Sequence, residues 1–242
     1  MSKETCPVEP LGSASSSGAA KETLLGRRVA PYSRALAATC DHLLWGAADL
    51  EAAIAALAER TGVRATAGGQ HPELGTHNAI AAVGRKRFLE VIAPDPTLRA
   101  GALARRLAAL KSPALIMWAA STSSAADTAA RAEAEGYQVA VVEGHRMRSD
   151  GKLLRWTNIF VTGHCGGTLV PFFVEWQGGP HPAVDGAAGL QLHGLRAETP
   201  EVEALRAVLE ALDVRLSVSK APTARLVAVL DTPRGRIELA GP

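Results

Sequence analysis

Aromatic residues make up only 4% of the 242 positions, and cysteines number three (Cys6, Cys40, Cys165) with no CxxC pair. An odd, widely spaced set excludes a disulfide framework and a structural zinc site, and makes a reducing, cytoplasmic setting the expected one. No run approaches the roughly 20 consecutive apolar residues that span a bilayer, so no membrane partner is expected. Charge is almost balanced, with 26 Lys+Arg against 24 Asp+Glu. No basic stripe is present to neutralise phosphates, which excludes nucleic acid as a partner. Neither a GxxxxGK[ST] loop nor a GxSxG elbow after a strand occurs, removing P-loop and serine-hydrolase chemistry. What is present is ordinary for a globular chain, 47% hydrophobic and 21% charged, and long enough to bury a sizeable core.

Residues 1–38 contain the small, polar, aperiodic run Leu11–Ala20 and read as a disordered tail, because such a run buries too little to offset its ordering entropy. Order is expected from residue 39. Asp41–Ala47 is short and apolar, and Asp49 is placed to cap a helix carrying Leu50, Ile54 and Leu57, with Gly62 as its stop. Strands follow at Val63–Thr66, His77–Val83 and Arg87–Ile92, separated by a Gly/His/Pro-rich loop (Ala67–Gly75) and a turn. Residues 39–95 thus read β-α-β-β-β, and 96–112 hold a linking helix. The same order returns over 113–185: Trp118 falls where Trp45 fell, Asn158 against Asn78 and Glu175 against Glu90. Residues 186–242 carry a fainter β-α-β-β-β-like unit, with Thr199-Pro200 opening its helix.

The expected fold is therefore mixed α/β, two βαβββ modules joined into a curved, cup-like sheet with a third unit beside it. A concave sheet face is a usual place for a small molecule. Strand alternation puts Glu90 on one face with Phe88 and Ile92, and Glu175 on one face with Phe173 and Gln177. A carboxylate on an apolar strand face is costly to bury unless paired, protonated or metal-bound.

Several segments carry a resemblance to a known family. Asp41-His42-Leu43-Leu44-Trp45, Gly68-Gly69-Gln70-His71-Pro72, Gly75-Thr76-His77-Asn78, Phe88–Asp95, Trp156, Pro171–Trp176 and His181-Pro182 together resemble the glyoxalase-like domain of the vicinal oxygen chelate superfamily. The likeness covers about residues 40–185 and extends weakly to the C-terminus. It implies a divalent metal (Zn, Mn, Ni or Fe) held by the first and last strands of each module. Mapped here, His42, Glu90 and Glu175 are the implied ligands. The fourth position falls among Ala114, Leu115 and Ile116, which cannot bind a metal. Either a three-ligand site remains or the metal is lost.

Beside these, Glu175 and His77 are the candidate proton-moving groups, while His71, Asn78, Trp156 and Arg155 are candidates to contact a substrate. A histidine bonded to backbone in the Gly-Gly turn also accounts for His71, and an exposed strand position accounts for Arg155. The expected function is a metal-dependent isomerase or lyase acting on a small oxygenated molecule. The alternative is a metal-free protein that sequesters a small molecule in the same cup. A homodimer, and a part for the third unit in forming it, stay open.

Overall fold

The computed structural model describes residues 38–148, 151 and 153–242. The expected tail lies outside the described residues except for Ala38, which bridges to Val214. The first unit runs β1 (Cys40–Gly46), α1 (Leu50–Thr61), β2 (Thr66–His71), β3 (Thr76–Gly84) and β4 (Arg87–Pro94). Helix α2 (Ala102–Ala108) leads to β5 (Ala114–Ser121), α3 (Ala125–Ala134), β6 (Gln138–Met147), β7 (Leu153–Thr162) and β8 (Phe172–Trp176). The chain closes with β9 (Gln191–Thr199), α4 (Val202–Ala211), β10 (Ser217–Lys220), β11 (Arg225–Thr232) and β12 (Gly235–Ala240).

Local chemistry accounts for the helix ends. The Asp49 side chain accepts from the Ala52 N–H to open α1, and Gly62 closes it in the left-handed region at φ 80°, a conformation that costs glycine nothing. Ser124 caps α3 in the same way through the Asp127 N–H. The expected Ala67–Gly75 loop is shorter than the sequence suggested. Strand β2 takes Thr66–His71, paired with β3 around an irregularity between Ala67 and Gln70. Gly68 sits inside that irregularity because the Asn78 side chain fills the space where its Cβ would stand.

Eight strands form one curled sheet in the order β2-β3-β4-β1-β5-β8-β7-β6. In each module the first strand lies parallel to the last, β1 beside β4 and β5 beside β8, and the modules join through antiparallel β1–β5. The curl brings the two edge strands, β2 and β6, into contact. The third unit keeps the β-α-β-β-β element order but builds a separate sheet, β10-β9-β11-β12. There the first strand pairs with the second and third rather than the last, so its strand order is not that of the two modules.

Helix packing fills the convex side. Leu43, Trp45, Leu89 and Val91 of the sheet meet Leu50, Ile54 and Leu57 of α1, and this core continues through Trp118, Ile159 and Phe173 to Leu205 and Leu209 of α4. The concave side is covered at its two ends only. Leu107 of α2 packs on Leu44 and Ile92, with Met117 and Phe172 alongside. At the opposite end Ala183, beyond β8, packs on Ile80 and Phe88. Between them the face carries polar groups. On β6, Gly144 leaves room for the Trp156 indole, which a Cβ would overlap. Gly144→Ala is expected to cost about 1–3 kcal/mol from overpacking, read as a lower denaturation midpoint at unchanged m-value. Among the described residues no helix is long and apolar enough to cross a membrane.

Candidate functional site

The polar groups begin at a break in strand register. Cys40 pairs with Ala120 of β5 and His42 with Ala119, leaving Asp41 as the extra residue of an irregular pair. Such an irregularity re-aims side chains that strict alternation would send to opposite faces. Asp41 and His42 are buried, and their side chains meet: Asp41 Oδ1 accepts from His42 Nδ1 at 2.8 Å. Asp41 Oδ2 accepts from Trp176 Nε1 and from His181 Nε2, each at 3.1 Å. His181 Nδ1 accepts the Ala183 N–H at 3.2 Å, which leaves its proton on Nε2 and makes that ring a donor to Asp41. Burial opposes ionisation of Asp41, but the hydrogen bonds from His181 and His42 outweigh it and bring the carboxyl down to about 2. The site thus holds a fixed anion that orients His42.

Glu90, on β4, faces the same hollow and is likewise buried. Asn78 positions it. The Asn78 Oδ1 accepts from the Gly69 N–H at 2.9 Å, so its amide nitrogen faces Glu90 and donates to Oε1 at 2.6 Å. The same nitrogen lies 3.5 Å from His71 Nε2, and His71 Nδ1 is 3.1 Å from Thr76 Oγ1. Burial, ahead of the opposing pull of Glu90, lowers the His71 pKa below the ordinary imidazole value, so this ring is neutral at neutral pH and accepts from Asn78. His42 Nε2 stands 3.8 Å from Glu90 Oε2, and His71 Nε2 stands 3.9 Å from Glu90 Oε1. Aromatic side chains surround these groups. His42 stacks on Phe88 at 4.4 Å between ring centres and meets Phe172 edge-on at 5.5 Å. Trp176 lies 5.8 Å from Trp156 and 5.6 Å from His181.

The structure therefore brings together His42, His71, Asn78 and Glu90, with Trp156 beside them through Trp176, and adds Asp41, Thr76, Trp176 and His181. It does not bring in three expected residues. Glu175 lies on the other face of β8, with Phe173 in the helix-side core, and its Oε2 accepts from the Ala125 N–H at 2.8 Å at the start of α3. The physical reason is the period of two: Phe172, not Phe173, faces the hollow with Phe88, so Glu175 is one residue out of phase with Glu90. His77 alternates away from Asn78, and its Nδ1 lies 3.7 Å from Asp95 Oδ2. Arg155 is exposed, next to the half-buried Trp156 on β7. Glu175→Gln is expected to lower stability by at most about 1 kcal/mol, through a weaker helix N-terminal contact, with ligand binding in the hollow unchanged by calorimetry.

These placements bear on the expected metal. Of the implied ligands only His42 and Glu90 face one another, and module two presents Met117 and Phe172 to the hollow. His71 supplies a third nitrogen, but its Nε2 and Glu90 Oε1 both already engage the Asn78 amide. Among the described residues no three His, Cys, Asp or Glu side chains are arranged to hold an ion. The residues do not fit the implied ligand set.

A separate cavity of about 700 Å³ lies between β1, β9 and α4, lined by Cys40, Arg87, Trp118, Arg206 and Arg215 among others. Burial pushes the Cys40 thiol up to about 12, so it offers no thiolate nucleophile. The titratable cluster around His42 lies elsewhere, on the concave face of the sheet.

A family model described as a glyoxalase-like domain matches residues 40–212. Among solved structures, a hypothetical protein from Staphylococcus aureus has a TM-score of 0.58 at 9% identity, covering 76% of this chain and 87% of that one. At that identity the likeness is one of fold. Methylmalonyl-CoA epimerase from Mycobacterium tuberculosis has a TM-score of 0.44 at 19% identity, covering 64% of this chain and 97% of that one. A triple mutant of 4-hydroxymandelate synthase from Streptomyces coelicolor has a TM-score of 0.47 at 13% identity, covering 85% of this chain and 63% of that one. No curated protein matches the sequence.

Proposed function

The chain belongs to the glyoxalase-like domain family of the vicinal oxygen chelate superfamily, and on that premise we propose that it is an isomerase or lyase that moves a proton on a small oxygenated molecule at His42 and Glu90. One observation carries this reading: an imidazole nitrogen and a carboxylate oxygen face each other at 3.8 Å in an aromatic-walled hollow, and both are pinned from behind. Asp41 holds the ring proton on Nδ1, so the lone pair of His42 is on Nε2, directed at the hollow. That nitrogen takes a proton from the carbon beside a substrate carbonyl, and the imidazolium so formed lies between the Asp41 and Glu90 carboxylates. In a water-poor site that charge pairing is stronger than in solution. Glu90, clamped by Asn78 on Oε1, keeps Oε2 free to receive the proton from the ring. Return of the proton to the other face of the carbon, or to its neighbour, completes an isomerisation. Departure of a group from the neighbouring carbon completes an elimination.

The chemistry runs through side chains, in keeping with a ligand set that does not close. Dialysis against EDTA is therefore expected to leave the activity within about twofold of the untreated protein, since no metal-held nucleophile is lost. The assay is exchange of carbon-bound hydrogen in deuterium oxide, followed by proton NMR, over small 2-hydroxy and 2-oxo compounds. Exchange with at least one of them above the buffer rate supports the enzyme. Binding of these compounds without exchange of any supports a sequestering protein instead, a reading favoured by the apolar half of the hollow formed by Met117 and Phe172.

A further inference from the structure

At one side of the hollow the curled sheet comes back on itself, where edge strands β2 and β6 approach each other without pairing. Arg146, near the end of β6, reaches across this gap. Its Cδ lies over Gly69 of β2, 3.4 Å from where a Cβ there would stand, which is ordinary van der Waals contact and places the arginine stem across the gap. The side chain is half-buried, and among the described residues its guanidinium has no hydrogen-bond or ion-pair partner. Three arginines of the third unit are matched by contrast: Arg196 to Glu198 and Glu238, Arg225 to Glu198, Arg236 to Asp231. The charges of Asp185 and Glu90 act on Arg146, and each of these acids has one oxygen bonded elsewhere. Asp185 Oδ1 accepts from Arg148 Nη2 at 2.7 Å, and Glu90 Oε1 accepts from Asn78.

We propose that Arg146 anchors the carboxylate of the molecule bound in the hollow, which makes the substrate class a small oxygenated carboxylic acid with an apolar or aromatic body. This rests on the His42–Glu90 reading above. A guanidinium presents five N–H donors in a fork that matches a carboxylate in two parallel bonds, and a half-buried fork with no partner is completed by such an anion. The body of the acid then lies on Trp156 and Trp176, which continue inward from the mouth to His42. His71 senses both ends of the arrangement, since the charges of Glu90 and of Arg146 both act on its ring. Burial and the neighbouring Arg148 weaken the hold of Arg146 on its own proton, Asp185 and Glu90 opposing. A bound carboxylate supplies further compensation at closer range.

The test is a binding titration, independent of turnover, using benzoate and benzamide as probes followed by tryptophan fluorescence. The wild-type protein is expected to bind benzoate at least about tenfold more tightly than benzamide, as one charge-assisted bidentate contact implies. Arg146→Gln should abolish that preference, and Arg146→Lys should retain part of it through charge without the fork. Benzoate and benzamide binding equally, Arg146→Gln binding benzoate like wild type, or the wild type binding neither probe would each overturn the proposal. A protein that prefers benzoate through Arg146 yet exchanges no substrate proton overturns the enzyme reading and leaves this anchor standing.

Discussion

Glu90→Gln is expected to lower the deuterium-exchange rate about 10²- to 10⁴-fold, the range for removing one group of a proton-transfer pair. Glutamine keeps the volume and, with its amide oxygen, the bond from Asn78 Nδ2. It loses only the charge and basicity that face His42 Nε2. Because that buried carboxylate has His42 and His71 nearby and, among the described residues, no Lys or Arg within ion-pair distance, neutralising it removes little net attraction. The folded state should survive with its denaturation midpoint nearly unchanged. Loss of exchange without loss of folding is the signature, measured by NMR exchange and chemical denaturation on the same preparation. A variant that exchanges at the wild-type rate removes Glu90 from the chemistry.

Asp41→Ala is expected to have the larger effect on stability, about 3–5 kcal/mol, because it strands three N–H donors, on the buried His42 and the half-buried Trp176 and His181. Asp41→Asn keeps an acceptor and should cost less, about 2 kcal/mol, the free-energy equivalent of lowering the carboxyl from 3.8 to about 2 on folding. The sign follows from that shift. A carboxyl whose folded pKa is depressed contributes stability that is fully present above its unfolded value near 3.8 and is lost as pH falls toward 2. Wild-type stability should therefore decline across that window, and the Asn variant should lack this part of the decline. Denaturant unfolding at pH 7, 4 and 3 measures it. Equal pH slopes in the two proteins would contradict the assignment.

Much of the frame was legible in the sequence because it rests on short-range physics. The Asp49 cap, the Gly62 stop and the returning order of elements were enough to mark two β-α-β-β-β units, and the sheet joins them. His42, His71, Asn78 and Glu90 could be singled out because each sits in a segment that resembles the family. Glu175 could not be placed by residue type alone. Phe88-Leu89-Glu90 and Phe173-Val174-Glu175 look alike, yet pairing sets Phe172 opposite Ala119, which itself faces His42. A single residue of slip therefore sent the carboxylate to the helix side. Asp41 was hidden for a related reason, since alternation put it behind His42 until a register break turned it inward. His181 and Arg146 come from distant stretches of chain, and only the curl of the sheet and the return of the segment after β8 bring them near. No local pattern encodes that approach. The third unit shows the same limit: its element order was readable, whereas its strand order depends on long-range pairing.

The most direct test of the account is the proton position on His42, read by ¹⁵N-edited NMR of the imidazole at a pH where the ring is neutral. The account predicts a proton on Nδ1, bonded to Asp41, and a bare Nε2 toward Glu90, with this preference lost in Asp41→Asn. A ring that carries its proton on Nε2 in the wild-type protein would contradict it.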